Sequence, residues 1–327
     1  MTSTGKPAIW NGFLLAALCA IIAINAILSP QFLTVANQIN LFQLSVEKII
    51  VALIMTLIIV NGEIDLSVGS MMGLAACAFG FMFAGGVPAG AACALALAIG
   101  AAGGAVNGIF VAYVGLPSLV VTLATLIGYR GIARAMVEDR GITGFPEWFD
   151  ALGQQGFVWR IPLAMIVFLV LLVGLYLVLQ RSGFGRKTYL IGNARPVADL
   201  AGIDTARHKL ILFVASGTVA ALAGFLFAAR VGAVRGDIAN GFELDIITMV
   251  LLGGASIFGG SGSLAGTLLA VLIVLNLRNG MALLNVTGHI QTGVIGLLLI
   301  GSVVAPRLDA RGLRRRLFRC RDPGTGS

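Results

Sequence analysis

The chain is a succession of long apolar runs divided by short polar or glycine-rich breaks. A helix needs about 20 consecutive apolar residues to cross the hydrocarbon core of a bilayer. On that measure the pattern predicts spans near 10–28, 46–61, 66–86, 90–113, 117–137, 161–180, 209–231, 245–258, 263–283 and 288–304. The expected fold is all-α: a polytopic membrane protein with about ten transmembrane helices, forming a single domain over 1–327. The runs 46–61 and 245–258 are short for a crossing, so tilted, broken or re-entrant segments are expected there.

Composition supports this reading. Of 327 residues 58% are hydrophobic and 11% charged, against roughly 25% charged in soluble domains, too few to coat a soluble protein. Gly100, Gly104 and Gly108 recur every four residues among 44 glycines, a spacing that predicts a close helix contact in lipid. Cys19, Cys77 and Cys93 lie in apolar runs and Cys320 in a basic tail, so no metal site or disulfide framework is indicated. Phe13–Leu28 follows Lys6 but is succeeded by Ser29-Pro30 without a small-residue cleavage pattern, and is expected to stay as a signal anchor.

Lys and Arg set the orientation. Thirteen of 22 basic residues fall at Lys6, in the loop 181–208 (Arg181, Arg186, Lys187, Arg195, Arg207) and in the tail from Arg307 to Arg321. With ten spans all three regions share one side, so both termini are expected in the cytoplasm. The tail suits anionic lipid headgroups better than nucleic acid. Residues 138–160, with Trp148 and Trp159 suited to an interface, form the longest external segment, either a lid or a partner contact.

Two breaks carry candidate chemistry. Asn61-Gly62-Glu63-Ile64-Asp65-Leu66-Ser67-Val68-Gly69-Ser70 places two carboxylates between apolar runs, tolerable only where protein or water satisfies the freed backbone. Asp65 suits a helix cap or a solute contact, both compatible with lining a path. Asp65, Ser67, Asn107, Thr122, Thr125 and Asn279 are the substrate-path candidates, with bonds between helices as the plain alternative. Arg130 and Arg134 are expected to snorkel at a span end, and Arg278 and His289 to be satisfied edge residues. Ile64-x4-Gly69-Ser70-x2-Gly73 is echoed by Ile257-x4-Gly262-Ser263-x2-Gly266, as in transporters built from interrupted repeats.

The second signal lies in the loop 181–208. Pro196 suits a first helical turn, Gly202 a helix end, and Val197, Leu200 and Ala201 share one face. So short a helix needs a partner, its own loops or another subunit; Asn193, Arg195, Val197, Leu200, Ala201 and Gly202 are the candidate coupling residues. No G-x-x-x-x-G-K-[ST], H-E-x-x-H or G-x-S-x-G motif occurs, and Gly259-Gly260-Ser261-Gly262 lacks a βαβ context. An enzyme is not indicated, and neither is a cofactor or a metal.

The segments Gly62–Ser70, Pro117–Thr125 with Tyr129-Arg130-Gly131, Gly185-Arg186 with Gly192-Asn193, and Gly253–Ser263 follow one another in an order that resembles the membrane permeases of bacterial ribose-type ABC importers. That family includes permeases for xylose, rhamnose, galactose and autoinducer-2. The resemblance implies a non-catalytic permease of the bacterial plasma (inner) membrane, working with a second copy or a paralogous permease, a cytoplasmic ATP-binding-cassette ATPase and an extracytoplasmic solute-binding protein. It also implies that Asn193–Asp204 docks into the ATPase. The family usually has Gly where Glu63 stands. The alternative is an ion-coupled secondary transporter using Glu63 and Asp65. A monosaccharide is the expected solute, with autoinducer-2 or a deoxy-sugar open.

Overall fold

The computed structural model describes residues 6–138, 140–154 and 163–304. Trp159 and the basic tail from Arg307, with Cys320, lie outside the described residues. Fourteen α-helices are described: α1 (Lys6–Leu28), α2 (Val35–Gln43), α3 (Val46–Val60), α4 (Val68–Ala84), α5 (Ala89–Ala112), α6 (Ser118–Val137), α7 (Glu147–Gln154), α8 (Leu163–Tyr176), α9 (Gly183–Asn193), α10 (Arg195–Leu200), α11 (Thr205–Val231), α12 (Phe242–Leu252), α13 (Leu264–Leu283) and α14 (Gly288–Val304). A π-turn, Leu177–Arg181, extends α8, and β1 (Ile142–Thr143) pairs antiparallel with β2 (Ala233–Val234).

Helix ends follow local chemistry. The side chains of Ser182, Asp204 and Ser263 accept from the backbone N–H groups of Gly185, Arg207 and Gly266, opening α9, α11 and α13. Gly232, at φ 69°, ends α11 in the left-handed conformation that glycine adopts without penalty.

Each of the ten expected runs coincides with a helix, and the fold is all-α as read from the sequence. Six of these helices are long and apolar enough to cross a membrane alone, and α2 with α3, bent by 53°, makes a seventh. α4 and α14 are shorter apolar helices, and α12 has 11 residues, roughly 16 Å, about half of a 30 Å hydrocarbon core. Of the about ten transmembrane helices expected, some of them short or broken, six or seven among the described residues are long enough to cross and the rest are short elements.

The core centres on α3, buried along almost its whole length, with α8, α11 and α12 against it. The glycine spacing in α5 does what it predicts. A Cβ added at Gly100 would collide with Ala221 and Gly217, at Gly104 with the Phe213 backbone, and at Gly108 with Leu210. α5 and α11 therefore cross backbone to backbone.

The contacts define two ends of the bundle. Trp10 near the start of α1 bonds the Leu252 carbonyl, the 61–67 break meets the starts of α6 and α11, and α9 meets the 256–262 turn. These contacts gather 10, 61–67, 118, 183–209 and 253–263 at one end. At the other, β1–β2 and α7 close over α4, where Phe79 and Phe149 stack with centroids 4.4 Å apart and Phe145 joins them. Arg130 is not a snorkelling residue: it is buried and donates to the carbonyls of Ile238 and Ala239. Both carbonyls lie in the loop before α12, where Ala239 also accepts from the Phe242 amide, and a guanidinium has donors enough for both.

Candidate functional site

The 61–67 break is a closed polar lock. Asp65 Oδ1 accepts from the Ser67 amide at 3.0 Å and the Ser67 hydroxyl at 2.6 Å, and Oδ2 accepts from Ser216 Oγ of α11 at 2.8 Å. Asp65 therefore folds an Asx-type turn immediately ahead of α4 and does not cap the helix itself, whose N-cap is Ser67. Asn107 Nδ2 of α5 donates to Ser67 Oγ at 2.8 Å. From α6, Ser118 Oγ accepts from the Ile64 amide at 3.2 Å, and the Thr122 hydroxyl reaches the Ile64 carbonyl at 3.3 Å. Burial pushes the Asp65 carboxyl above the usual carboxylate range, while the serine hydrogen bonds pull it back.

Four of the six path candidates, Asp65, Ser67, Asn107 and Thr122, thus meet where α4, α5, α6 and α11 converge. Asn107 Oδ1 stays buried without a hydrogen-bond partner. Thr125, one turn along α6, donates to its own helix at Val121 and Thr122. Asn279 belongs elsewhere, in a reciprocal amide pair with Asn37 of α2 at the other end.

Glu63 forms an ion pair with Lys209 of α11, and both side chains are largely buried. Neither carboxylate of the break is therefore free, as an ion-coupled mechanism would want.

Beside the lock lies a junction of three backbones. Gly192, at the end of α9, sits so close to Val60 and Gly260 that a Cβ there would overlap the Val60 carbonyl and the Gly260 amide. Gly260 N–H donates to the same Val60 carbonyl at 2.8 Å. Gly259, at φ 83°, packs on Gly62, at φ 86°. The two glycine-rich breaks that echo each other in sequence thus touch in space, with the end of α9 wedged against both. Tyr189 of α9 donates to the Gly262 carbonyl at 2.7 Å, and burial raises its phenol above the ordinary value.

α10 follows directly. Pro196 occupies its first turn and Gly202, at φ 75°, its exit, as the sequence predicts. Ala198 faces inward and is fully buried, whereas Val197 is 53% and Leu200 90% exposed. Ala201, Asn193 and Arg195 are exposed as well, Arg195 lying 3.9 Å from Asp199. The apolar face does not pack on the chain's own loops.

Sequence reasoning missed Ser216, Ser118 and Tyr189. Ser216 is one hydroxyl in a 27-residue apolar helix, and nothing local distinguishes it from a helix-bonded serine. It also passed over Lys48 and Asp245. Their signal was available: each is a charge in the first turn of one of the two short runs.

A helical bundle with interrupted spans and a short exposed helix at one end fits a polytopic membrane permease. A family profile described as the permease component of the branched-chain amino acid transport system matches residues 37–303. The autoinducer 2 import system permease protein LsrD of Yersinia pseudotuberculosis serotype O:1b is 37% identical over 261 residues, covering 78% of each chain. That of Photorhabdus laumondii is 35% identical over 305 residues, covering 90% of each, and that of Yersinia enterocolitica is 37% identical over 261 residues, or 78% of each. No solved structure matches the chain. The chain belongs to this family and is a permease subunit of an ABC importer, in which ATP hydrolysis belongs to a separate subunit.

Proposed function

We propose that this permease imports a small sugar-like solute of the autoinducer-2 class, delivered by an extracytoplasmic binding protein, across the bacterial inner membrane with both termini in the cytoplasm. The substrate class rests on the function named for its relatives. α10 docks into an ATP-binding-cassette ATPase, and two permease copies, or this chain and a paralogue, enclose the path.

The observation that carries the coupling role is the Gly192 junction. The exposed face of α10 is joined, through a few residues, to a point where α9, the end of α3 and the 256–262 turn are in backbone contact. Displacement of α10 by a closing ATPase has to move both breaks. Asp65, Ser67, Asn107 and Thr122 then border the path from inside the protein, their polar atoms occupied by one another while it is closed. Thr125 and Asn279 are assigned to its flanks.

Isolation of the chain in detergent with ATP tests this. Recovery of an ATPase and a solute-binding protein, and ATP-dependent uptake of labelled autoinducer-2 by the reconstituted assembly, is the expected result. Uptake by the chain alone, driven by an ion gradient, would refute it.

A further inference from the structure

The other half of the bundle holds a largely apolar cavity with a charged cluster in its wall, which the coupling machinery does not use. It has a volume of about 280 Å³ and is bordered by α3, α12, α13 and α14, with Lys48, Phe242, Asp245, Thr248, Arg278 and Thr292 supplying its chemistry. The Asp245 carboxylate is at its centre: Lys48 Nζ is 2.9 Å from Oδ2 and an Arg278 Nη2 2.5 Å from Oδ1. Lys48 also lies 4.0 Å from the centre of the Phe242 ring.

These charges are at membrane depth. α12 is only about half a span long, so its acidic first turn opens well inside the bilayer. Lys48 is twelve positions before Val60 at the opposite end of α3, roughly 18 Å along a core of about 30 Å. Ionised groups at such depth are costly and mark solute pathways by default.

The donor and acceptor inventory selects a ligand class. Two cations share one carboxylate, so the excess charge is small and a fixed anion gains little. What remains is hydrogen-bonding capacity. Arg278 Nε is buried without a partner, Lys48 has donors beyond its bond to Asp245, and Asp245 keeps spare lone pairs. Thr248 and Thr292 donate to their own helices, at Leu244 and Gly288, and retain acceptor pairs. The size is close to the roughly 300 Å³ at which small-molecule pockets begin.

We propose that this cavity is a binding station for a small polyhydroxylated solute in the outer half of the permease, its vicinal hydroxyls accepting from Lys48 and Arg278 and donating to Asp245. The proposal rests on the importer reading above and deepens it to a site.

The test uses the full chain in lipid nanodiscs with its copurifying subunits retained, in a background with Cys19, Cys93 and Cys320 replaced by Ser. Thr292→Cys places a thiol on the cavity wall, and its labelling by a membrane-impermeant maleimide is followed with autoinducer-2, D-ribose, L-rhamnose or L-leucine present. Saturable protection by a polyhydroxylated solute is expected, about tenfold when the solute is at roughly ten times its Kd. It should vanish in Asp245→Asn. Because that variant leaves two cations without their carboxylate, Gly296→Met is the second variant: a Cβ there meets no atom within 4 Å, so the side chain narrows the cavity with the ion cluster intact. Persisting protection in both variants overturns the site. So does a Thr292→Cys thiol that never reacts, no protection by any polyol, or protection by leucine alone. Autoinducer-2 uptake without protection leaves the importer reading standing and removes the station; protection by ribose or rhamnose with no autoinducer-2 uptake keeps the station and removes that solute.

Discussion

Leu200→Asp separates docking from folding. Leu200 is 90% exposed in the isolated chain, so the fold gains almost nothing from it, and surface changes of this kind move stability by no more than about 0.5 kcal/mol. The docking proposed above would bury the same side chain against an ATPase, and full burial of a leucine is worth about 1.5–3 kcal/mol. At 1.4 kcal/mol per decade, loss of that contact weakens docking roughly 10- to 150-fold, and the introduced carboxylate adds a desolvation cost. The assay has three readouts on one preparation: thermal unfolding of the permease, the amount of ATPase retained on it, and ATP-driven uptake in vesicles. The expected pattern is an unchanged unfolding midpoint with ATPase retention and uptake both lost. Full uptake by Leu200→Asp would refute the role given to α10; a lowered midpoint would show that α10 packs on the chain itself.

Four further outcomes follow from the same geometry. Gly192→Ala forces a Cβ into the Val60 carbonyl and the Gly260 amide; overpacking of this kind costs about 1–3 kcal/mol, and uptake should fall while the ATPase still copurifies. Glu63→Gln strands Lys209 in a largely buried position, a loss of about 3–5 kcal/mol measurable by thermal unfolding, which a Glu63→Met/Lys209→Met double variant should largely recover. Asp65→Ala removes three hydrogen bonds to a buried carboxylate, each worth about 1.5–3 kcal/mol; uptake should be lost, and wild-type uptake should ignore imposed proton or sodium gradients. Gly104→Leu should separate α5 from α11 and abolish the monodisperse peak on size-exclusion chromatography.

Much of the fold was legible because lipid simplifies the code. Apolar run length located ten of the fourteen described helices, and the glycine spacing in α5 located its close crossing with α11. Run length could not say which runs cross. α12 reads as 245–258 in the sequence, but its helix begins at Phe242 and stops at Leu252, because Gly253 and Gly254 turn the chain where hydropathy alone continues. The short helix α10 was legible from Pro196, Gly202 and the Val197/Leu200 face, since caps and periodicity are local. Partners across the bundle were not. Nothing near Ser216 or Lys209 announces Asp65 or Glu63, some 150 positions away, and Asn279 looked like Asn107 until the fold put them at opposite ends.

The same long-range packing explains why polar groups can be afforded at both ends of α3. Its Val60 carbonyl receives the Gly260 amide at one end, and its Lys48 is paired with Asp245 at the other. Between them, Ile49 to Ile59 are buried on every side, so the helix has no lipid-facing surface along which to bend. A helix so enclosed shifts as a rod. Movement of Gly192 against Val60 therefore has two outlets, separation of the glycine junction or displacement of α3 along its length. The first would leave the Val60 carbonyl and the Gly260 amide unpaired in a water-poor setting, the more expensive choice. The second carries motion at the coupling loop to Lys48, and with it to the wall of the outer cavity.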